Sequence, residues 1–161
     1  GQGSRKDRNI MVKVQEILIE NEKDTREFGH QLASHLEPGS VVALFGDLGS
    51  GKTTLTKYIG EGLGVEEIIT SPTFTVIQEY RNGRIPLYHF DVYRLNGPQD
   101  LLDLGYEDYF YGQGVTVIEW ADKIQSLLPP GTIYIYLNYG ELDHQRRYLV
   151  EGLEGVDLCG F

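Results

Sequence analysis

Residues 46–53 read Gly46-Asp47-Leu48-Gly49-Ser50-Gly51-Lys52-Thr53, directly after the apolar run Val41–Phe45. Glycines, a lysine and a hydroxyl residue at this spacing are typical of a loop that binds nucleotide phosphates. The apolar run before the loop is typical of a strand that is buried on both faces. A helix with one apolar side is predicted after the loop, over residues 52–63. The order of strand, loop and helix therefore predicts a phosphate-binding loop (P-loop).

The residue types of this loop suit a complex of a nucleotide with magnesium. Its glycines allow backbone N–H groups to approach the phosphates closely, and the helix after it directs its positive N-terminal end at them. Lys52 is predicted to contact the β and γ phosphates, and the Thr53 hydroxyl is predicted to bind Mg²⁺. Thr54 is placed to donate to the α phosphate. We therefore predict that residues 46–54 bind ATP and Mg²⁺.

Two carboxylates compete for a second position on the metal. Glu119 follows the apolar run 115–118, and Asp91 follows the run 87–90, so each lies at the end of a predicted strand. In phosphoryl-transfer sites an acidic residue at such a strand end often holds the ion or its water shell. Both are predicted to be functional, and a solvated acid or a helix cap is the alternative for each.

Further candidates lie near these acids. Thr73 begins a predicted strand after the P-loop helix, where nucleotide switches often place a threonine that senses the γ phosphate or the metal. A plain turn threonine is the alternative. Trp120 adjoins Glu119 and is interpreted either as a core residue or as a side chain close to the nucleotide. His89 is assigned a structural rather than a catalytic role.

The rest of the chain predicts an α/β fold. Strands are predicted over residues 12–19, 41–45, 73–80, 84–90, 115–118, 132–139 and 147–152. Helices are predicted up to residue 36 with Asp24 or Thr25 as the N-cap, over 52–63 with Gly64 as the C-cap, and over 121–128, with a short helical or mixed segment over 98–110. Two turn signals indicate hairpins. The expected architecture is a P-loop NTPase fold with one mixed sheet and helices on both faces.

Composition and charge limit the classes of protein and partner. The 161 residues suit one domain, and the single Cys159 suits a reducing cytosol. No apolar run approaches the ~20 residues that a membrane helix needs. The net charge of −10 argues against extended independent contact with nucleic acid. Met11 is the only methionine, so residues 1–10 are interpreted as a vector-derived leader before one P-loop domain over 11–161, with a processed native terminus as the alternative.

Four sequence blocks together resemble one protein family. They are the P-loop with Thr54, then Ser71-Pro72-Thr73-Phe74, then Tyr88-His89-Phe90-Asp91-Val92-Tyr93-Arg94-Leu95, and Ile118-Glu119-Trp120. Their order and spacing resemble those of the TsaE (YjeE) family over about residues 14–150. The P-loop alone is shared by many proteins. The third block joined to the Glu-Trp block makes the resemblance specific.

This resemblance implies a cytosolic ATPase of tRNA threonylcarbamoyladenosine biosynthesis. Such a protein acts with the TsaB and TsaD proteins, reaches tRNA only through them, and contacts no membrane. The resemblance also implies roles for individual residues. These are Mg²⁺ binding by Thr53 and Glu119, a catalytic or switch role for Asp91 and Thr73, Trp120 close to the site, and further nucleotide contacts by Glu22, Thr25 and, more weakly, Arg146 or Arg147.

Other P-loop functions are weighed against this one. A small nucleotide or metabolite kinase uses the same loop with another acceptor and usually has an arginine-rich lid, but residues 64–114 hold only three scattered arginines. A GTP switch needs the guanine-reading tetrapeptide Asn-Lys-x-Asp, which the sequence lacks. A binding module without activity would not need Lys52, Thr53, Asp91 and Glu119. The kinase is the main alternative.

Overall fold

The computed structural model describes residues 14–72, 75–153 and 155–160, so residues 1–10 and Thr73 lie outside the described residues. The strands are β1 Val14–Ile19, β2 Val41–Phe45, β3 Ile77–Tyr80, β4 Leu87–Asp91, β5 Val115–Glu119, β6 Ile133–Tyr139 and β7 Arg146–Glu151. The helices are α1 Glu22–Ala33, α2 Lys52–Gly62, α3 Pro98–Leu102, α4 Tyr106–Phe110 and a 3-10 helix, Ala121–Leu127. None of the helices in these ranges has the length and apolar composition needed to cross a membrane.

The strands form one mixed sheet in the order β1-β7-β6-β2-β5-β4-β3. The four central strands, β6, β2, β5 and β4, are parallel to one another. The outer strands pair antiparallel, and β3–β4 and β6–β7 are the two predicted hairpins. Because β2, β4 and β5 run in the same direction, they end at the same edge of the sheet. That edge carries the P-loop, Asp91 and Glu119, and such an edge is where α/β sheets bind ligands.

Helices cover both faces of this sheet, as predicted. On one face, Phe28 of α1 and Leu55 of α2 belong to a buried core with strand residues such as Leu44. On the other face, Leu101 of α3 and Phe110 of α4 pack in a second buried cluster. Each large side chain buried in this way contributes roughly 1.5–3 kcal/mol. Burial on both faces explains why β2 and β5 are apolar along nearly their whole length.

The bounds of α1 differ from the prediction at both ends. Asn21 is the N-cap, and its Oδ1 accepts from the Asp24 N–H at 3.0 Å, so the predicted caps Asp24 and Thr25 lie inside the first turn. The helix ends at Ala33 instead of Leu36, because the backbone tightens into turns with bonds three residues apart. Leu36 is nevertheless buried in the core, which is why it continued the apolar pattern in the sequence.

Several other predicted elements differ in extent. The strand predicted over residues 84–90 spans Leu87–Asp91. Residues 98–110 form two five-residue helices, because Gly105 between them takes a left-handed conformation with φ +67°. The segment after Trp120 is a 3-10 helix that ends at Leu127. Strand β3 begins at Ile77 and not at residue 73, because Val76 before it has φ +67°, which no extended strand allows. Gly64 does take the left-handed conformation predicted for it after α2.

Candidate functional site

The loop between β2 and α2 has a backbone that side chains would obstruct. A Cβ added at Gly46 would lie 2.5 Å from the Ser50 Oγ and 2.9 Å from the Leu137 carbonyl oxygen of β6. Gly49 and Gly51 have φ values of +84° and +102°, which L-residues rarely adopt. The glycines are therefore required by close packing at one position and by backbone conformation at the others.

Lys52 begins α2 and turns its side chain back onto the loop. Its Nζ donates to the carbonyl oxygens of Gly46 at 2.5 Å and Asp47 at 3.0 Å, and it lies 3.9 Å from the centroid of the Trp120 ring. Burial lowers the pKa of Lys52 from its ordinary value, and the nearby carboxylates, Glu119 first, oppose that change. The site therefore contains a buried cation whose carbonyl contacts are weaker than those that an anionic phosphate offers.

Glu119, at the end of β5, contacts residues from two other elements. The Thr53 Oγ1 of α2 lies 2.9 Å and 3.0 Å from its two carboxylate oxygens, and the His89 Nε2 of β4 lies 2.6 Å from Oε2. Glu119 is 2% exposed. Thr53 and Glu119 are 66 residues apart in the sequence, and the structure brings these two predicted metal ligands into direct contact.

Asp91 lies beside Glu119 in a more open position. The two residues pair in register across β4 and β5, but Asp91 is only half-buried. The Ser71 hydroxyl donates to Asp91 Oδ2 at 2.7 Å, and the Tyr93 N–H donates to Oδ1 at 3.0 Å. Ser71 lies two residues before Thr73, the predicted switch residue, which is itself outside the described residues. The chain just before Thr73 therefore reaches the site.

A cavity of about 490 Å³ opens along these residues. Its walls include Leu48, Gly49, Gly51, Lys52, Thr53, Thr54, Ser71, Asp91, Tyr93, Arg94, Glu119 and Trp120. Of the other predicted loop residues, Gly46 and Asp47 contact Lys52 instead, and Ser50 lies in the wall of a second cavity. The structure therefore brings together every predicted catalytic residue that it describes.

The donor atoms in this cavity suit a magnesium ion that is shared with a ligand. Thr53 and Glu119 offer the oxygen donors that Mg²⁺ prefers. No group of three or more His, Cys, Asp or Glu side chains that could hold a metal occurs within residues 14–72, 75–153 and 155–160. Mg²⁺ is commonly held by one or two protein oxygens together with phosphate oxygens and water, so the residues present fit it.

The second cavity, of about 230 Å³, lies on the other side of the P-loop. Glu22, Thr25 and Arg146 are in its walls, together with Gly49, Gly51 and Thr54, which border both cavities. The Arg146 Nε donates to the Ser50 carbonyl at 3.2 Å. Arg147 is not in these walls and instead pairs with Glu16 at 3.7 Å. Of the two arginines proposed as alternatives, the structure places Arg146 at the loop.

His89 has a contact that the sequence analysis did not anticipate. Its ring is fully buried, and its Nε2 lies 2.6 Å from a Glu119 oxygen. The spacing of His89 and Asp91 could have indicated this, because residues two apart in a strand share a face. The pairing of β4 with β5, which brings that face to Glu119, was not visible in the sequence.

Comparison with known proteins supports the resemblance seen in the sequence. The family model described as Threonylcarbamoyl adenosine biosynthesis protein TsaE matches residues 19–148. The tRNA threonylcarbamoyladenosine biosynthesis protein TsaE of Bacillus subtilis (strain 168) is 47% identical over 140 residues, which cover 86% of this chain and 87% of that protein. The protein of the same name from Treponema pallidum (strain Nichols) is 48% identical over 115 residues, covering 71% and 84%.

A solved structure is similar over nearly the same range. The crystal structure of Bacillus subtilis YdiB superposes with a TM-score of 0.77 at 39% sequence identity, covering 88% of this chain and 87% of that chain. This similarity confirms the predicted P-loop NTPase fold. The chain therefore belongs to the TsaE family, whose members take part in tRNA threonylcarbamoyladenosine biosynthesis.

Proposed function

We propose that this protein is a Mg²⁺-dependent ATPase that acts with TsaB and TsaD in tRNA threonylcarbamoyladenosine biosynthesis. The contact of Thr53 with Glu119, at 2.9 Å and beside Lys52, carries the proposal. A P-loop alone supports nucleotide binding, whereas a hydroxyl and a carboxylate that meet in one cavity supply the two protein oxygens that a magnesium-nucleotide complex uses.

The two cavities suggest how the nucleotide lies on the protein. Gly49, Gly51 and Thr54 border both cavities, so a molecule that extends along the loop can reach both. We assign the phosphates to the larger cavity, because it contains Lys52, and the adenosine to the smaller one. Glu22 and Thr25, in the wall of the smaller cavity, are then candidates for contacts with the nucleoside.

Five side chains of the larger cavity have a proposed task. Lys52 exchanges its carbonyl partners for the β and γ phosphates, and Trp120 keeps it in place through the ring contact. Thr53 and Glu119 hold Mg²⁺, which neutralises charge on the phosphates when it is bound. Asp91 is half-exposed and orients the attacking water. Removal of one such charge-stabilising group typically lowers turnover by roughly 100- to 1,000-fold.

The surface around the cavity supports action through a protein partner. Leu48 at the tip of the P-loop is 84% exposed, and Tyr93 and Tyr139 near it are 55% and 49% exposed. Exposed apolar side chains that surround a site are typical of a surface that another protein covers. The net charge of −10 disfavours direct tRNA binding, so we propose that tRNA is reached only through TsaB and TsaD.

The test is a set of thermal melts and phosphate-release assays. Melts with ATP and Mg²⁺, with GTP and Mg²⁺, and without nucleotide should show the largest stabilisation with ATP, because a ligand bound only to the folded state raises its stability. Adding TsaB and TsaD should raise phosphate release. No stabilisation by saturating ATP would contradict the proposal, and phosphate transfer to a small acceptor would support the kinase instead.

The switch role of Thr73 belongs to the same test. Thr73→Ala should reduce the rise in phosphate release that TsaB and TsaD cause while leaving ATP binding nearly unchanged, because the P-loop supplies most of the contacts. The bond from Ser71 to Asp91 supports this expectation, since it links the segment before Thr73 to the site. A rate that does not depend on the partners would contradict it.

A further inference from the structure

We propose that His89 is a positioning residue that fixes the carboxylate of Glu119 in the orientation in which it holds Mg²⁺. The inference rests on the proposed function, since it assigns a purpose to the residue that contacts the proposed metal ligand. His89 touches neither nucleotide nor metal in this proposal. It acts only through Glu119.

The contact between the two side chains is short and buried. The His89 Nε2 lies 2.6 Å from Glu119 Oε2, and the side chains are 0% and 3% exposed. A carboxylate only accepts hydrogen bonds, so Nε2 carries the proton and donates it. Hydrogen bonds to a charged acceptor are shorter and roughly twice as strong as bonds between neutral groups. This bond therefore restrains the carboxylate far more than an exposed contact would.

The second ring nitrogen of His89 shows that apolar packing does not explain why a histidine occupies this position. His89 Nδ1 is buried and has no hydrogen-bond partner among the described residues. A buried polar atom without a partner costs about 1–3 kcal/mol, and an apolar side chain at this position would avoid that cost. Among the described residues, the hydrogen bond to Glu119 is the one polar contact of the His89 ring. That bond is therefore what a histidine provides at this position and an apolar side chain would not.

The position of His89 in the sheet places it between core and site. Leu87, His89 and Asp91 alternate along β4 and face α2, with Leu87 in the apolar core and Asp91 in the cavity wall. His89 thus lies where the apolar layer ends, next to Glu119 on β5. With Thr53 on one side and His89 on the other, the carboxylate is held from two elements. Residues that orient a metal ligand in this way commonly set metal affinity.

The test compares two substitutions at the same buried position. His89→Gln keeps an N–H donor at about the reach of Nε2, whereas His89→Leu removes the donor and keeps a buried side chain. Calorimetry would follow the binding of a non-hydrolysable ATP analogue while Mg²⁺ is titrated, and again with EDTA present. Phe90→Leu is the matched control, because Phe90 is buried on the opposite face of the same strand, in the second buried cluster.

We expect His89→Leu to raise the Mg²⁺ concentration for half-maximal analogue binding by about 10- to 100-fold. Binding in EDTA should stay within twofold of wild type, which a general disturbance of the loop would not allow. His89→Gln should restore most of the Mg²⁺ dependence, and Phe90→Leu should leave it unchanged even where its melting temperature falls. This pattern would separate positioning of Glu119 from a loss of stability.

Equal Mg²⁺ dependence in wild type and His89→Leu, or equal shifts in the Leu and Gln variants, would overturn the inference and leave the proposed function standing. A wild-type protein whose analogue binding ignores Mg²⁺ would overturn both. If neither variant folds, nitrogen NMR of the His89 ring in the wild-type protein tests the inference. A proton on Nε2 whose signal shifts when Mg²⁺ and the analogue bind supports the inference, and a proton on Nδ1 alone contradicts it.

Discussion

The ends of β4 and β5 lie side by side, yet their carboxylates have different surroundings. Asp91 and Glu119 pair in register, and each follows four buried strand residues. Glu119 is buried between Thr53 and a histidine ring, whereas Asp91 is half-buried and is held by the Ser71 hydroxyl and a backbone N–H. The two acids therefore share a position at the end of a strand, and the residues that surround each carboxylate determine what it can bind.

This difference suggests a division of tasks. A carboxylate held from two sides keeps one orientation and suits a metal, which needs fixed oxygen donors. A carboxylate that borders an open cavity can contact a water molecule, and its partner Ser71 belongs to the segment that contains Thr73. On this basis, we propose that the end of β5 sets the affinity for Mg²⁺ and that the end of β4 sets the rate of hydrolysis.

The largest effect is expected from Lys52, which interacts electrostatically with the carboxylates at both strand ends. Lys52→Ala should lower ATP hydrolysis by roughly 100-fold or more, because the buried charge that we propose contacts the γ phosphate is lost. Phosphate release measures this. Lys57→Ala is the control, since Lys57 is exposed on the same helix and should leave the rate unchanged. A Lys52→Ala rate within twofold of wild type would mean that the loop is not the active site.

Replacing each carboxylate by its amide, one at a time, should distinguish the roles of Glu119 and Asp91. Glu119→Gln should raise the Mg²⁺ concentration for half-maximal hydrolysis by more than the about 10- to 100-fold typical of losing a residue that only orients a metal ligand. Asp91→Asn should lower the maximal rate and leave the Mg²⁺ requirement nearly unchanged. The measurement is phosphate release as a function of Mg²⁺ concentration at saturating ATP.

The double variant examines whether both acids serve one transition state. Its loss of rate should be smaller than the product of the two single losses, because groups that act as a unit are not additive. Independent losses that multiply would indicate two separate sites. Equal shifts in Mg²⁺ requirement from both single variants would remove the proposed division between the strand ends.

A smaller effect is expected from the partner of Asp91. Ser71→Ala removes the hydroxyl that donates to Asp91 Oδ2 and should lower the maximal rate by roughly two- to tenfold, the size of one hydrogen bond. Ser71→Thr keeps a hydroxyl and serves as the comparison. Steady-state rates of the two variants measure the effect, and a Ser71→Ala enzyme with wild-type kinetics would show that this bond does not orient Asp91 during turnover.

The parts of the site that could be predicted are those encoded in local sequence. The P-loop needs glycine at fixed positions and a helix that starts at Lys52, so its spacing identifies it. Glu119 and Asp91 follow apolar runs that end visibly. The contact of His89 with Glu119 depends on which strands are neighbours, and β4 and β5 are separated by two helices in the chain. Strand order follows from long-range packing, which no local pattern contains.

The ends of helices and strands were also not fully predictable from local sequence. The apolar spacing that continues to Leu36 reflects burial, and burial persists beyond the last helical turn. Val76 could not be recognised as a break before β3, because valine normally favours strands and no local pattern signals its φ of +67°. Such conformations in non-glycine residues are often found at functional sites, and both Val76 and Trp120 line the larger cavity.

The smallest expected effect is a change in the pKa of Lys52. It compares the influence of Glu119 on this lysine with that of Asp91. Burial lowers the pKa of Lys52 below the ordinary value of 10.5, while Glu119 and, to a lesser extent, Asp91 raise it. Glu119→Gln should therefore lower this pKa further than Asp91→Asn does. NMR titration of the lysine side-chain carbon next to Nζ measures the pKa in each variant.

The sign of the accompanying change in stability follows from proton binding. Between the lowered pKa and 10.5 the unfolded chain binds the Lys52 proton more tightly than the folded chain, so this group makes the free energy of unfolding rise with pH in that window. Glu119→Gln should extend the window to lower pH more than Asp91→Asn, and urea unfolding at a series of pH values measures this. If both substitutions lower the pKa equally, the two carboxylates are electrostatically equivalent toward Lys52, and the difference between the strand ends is one of hydrogen bonding alone.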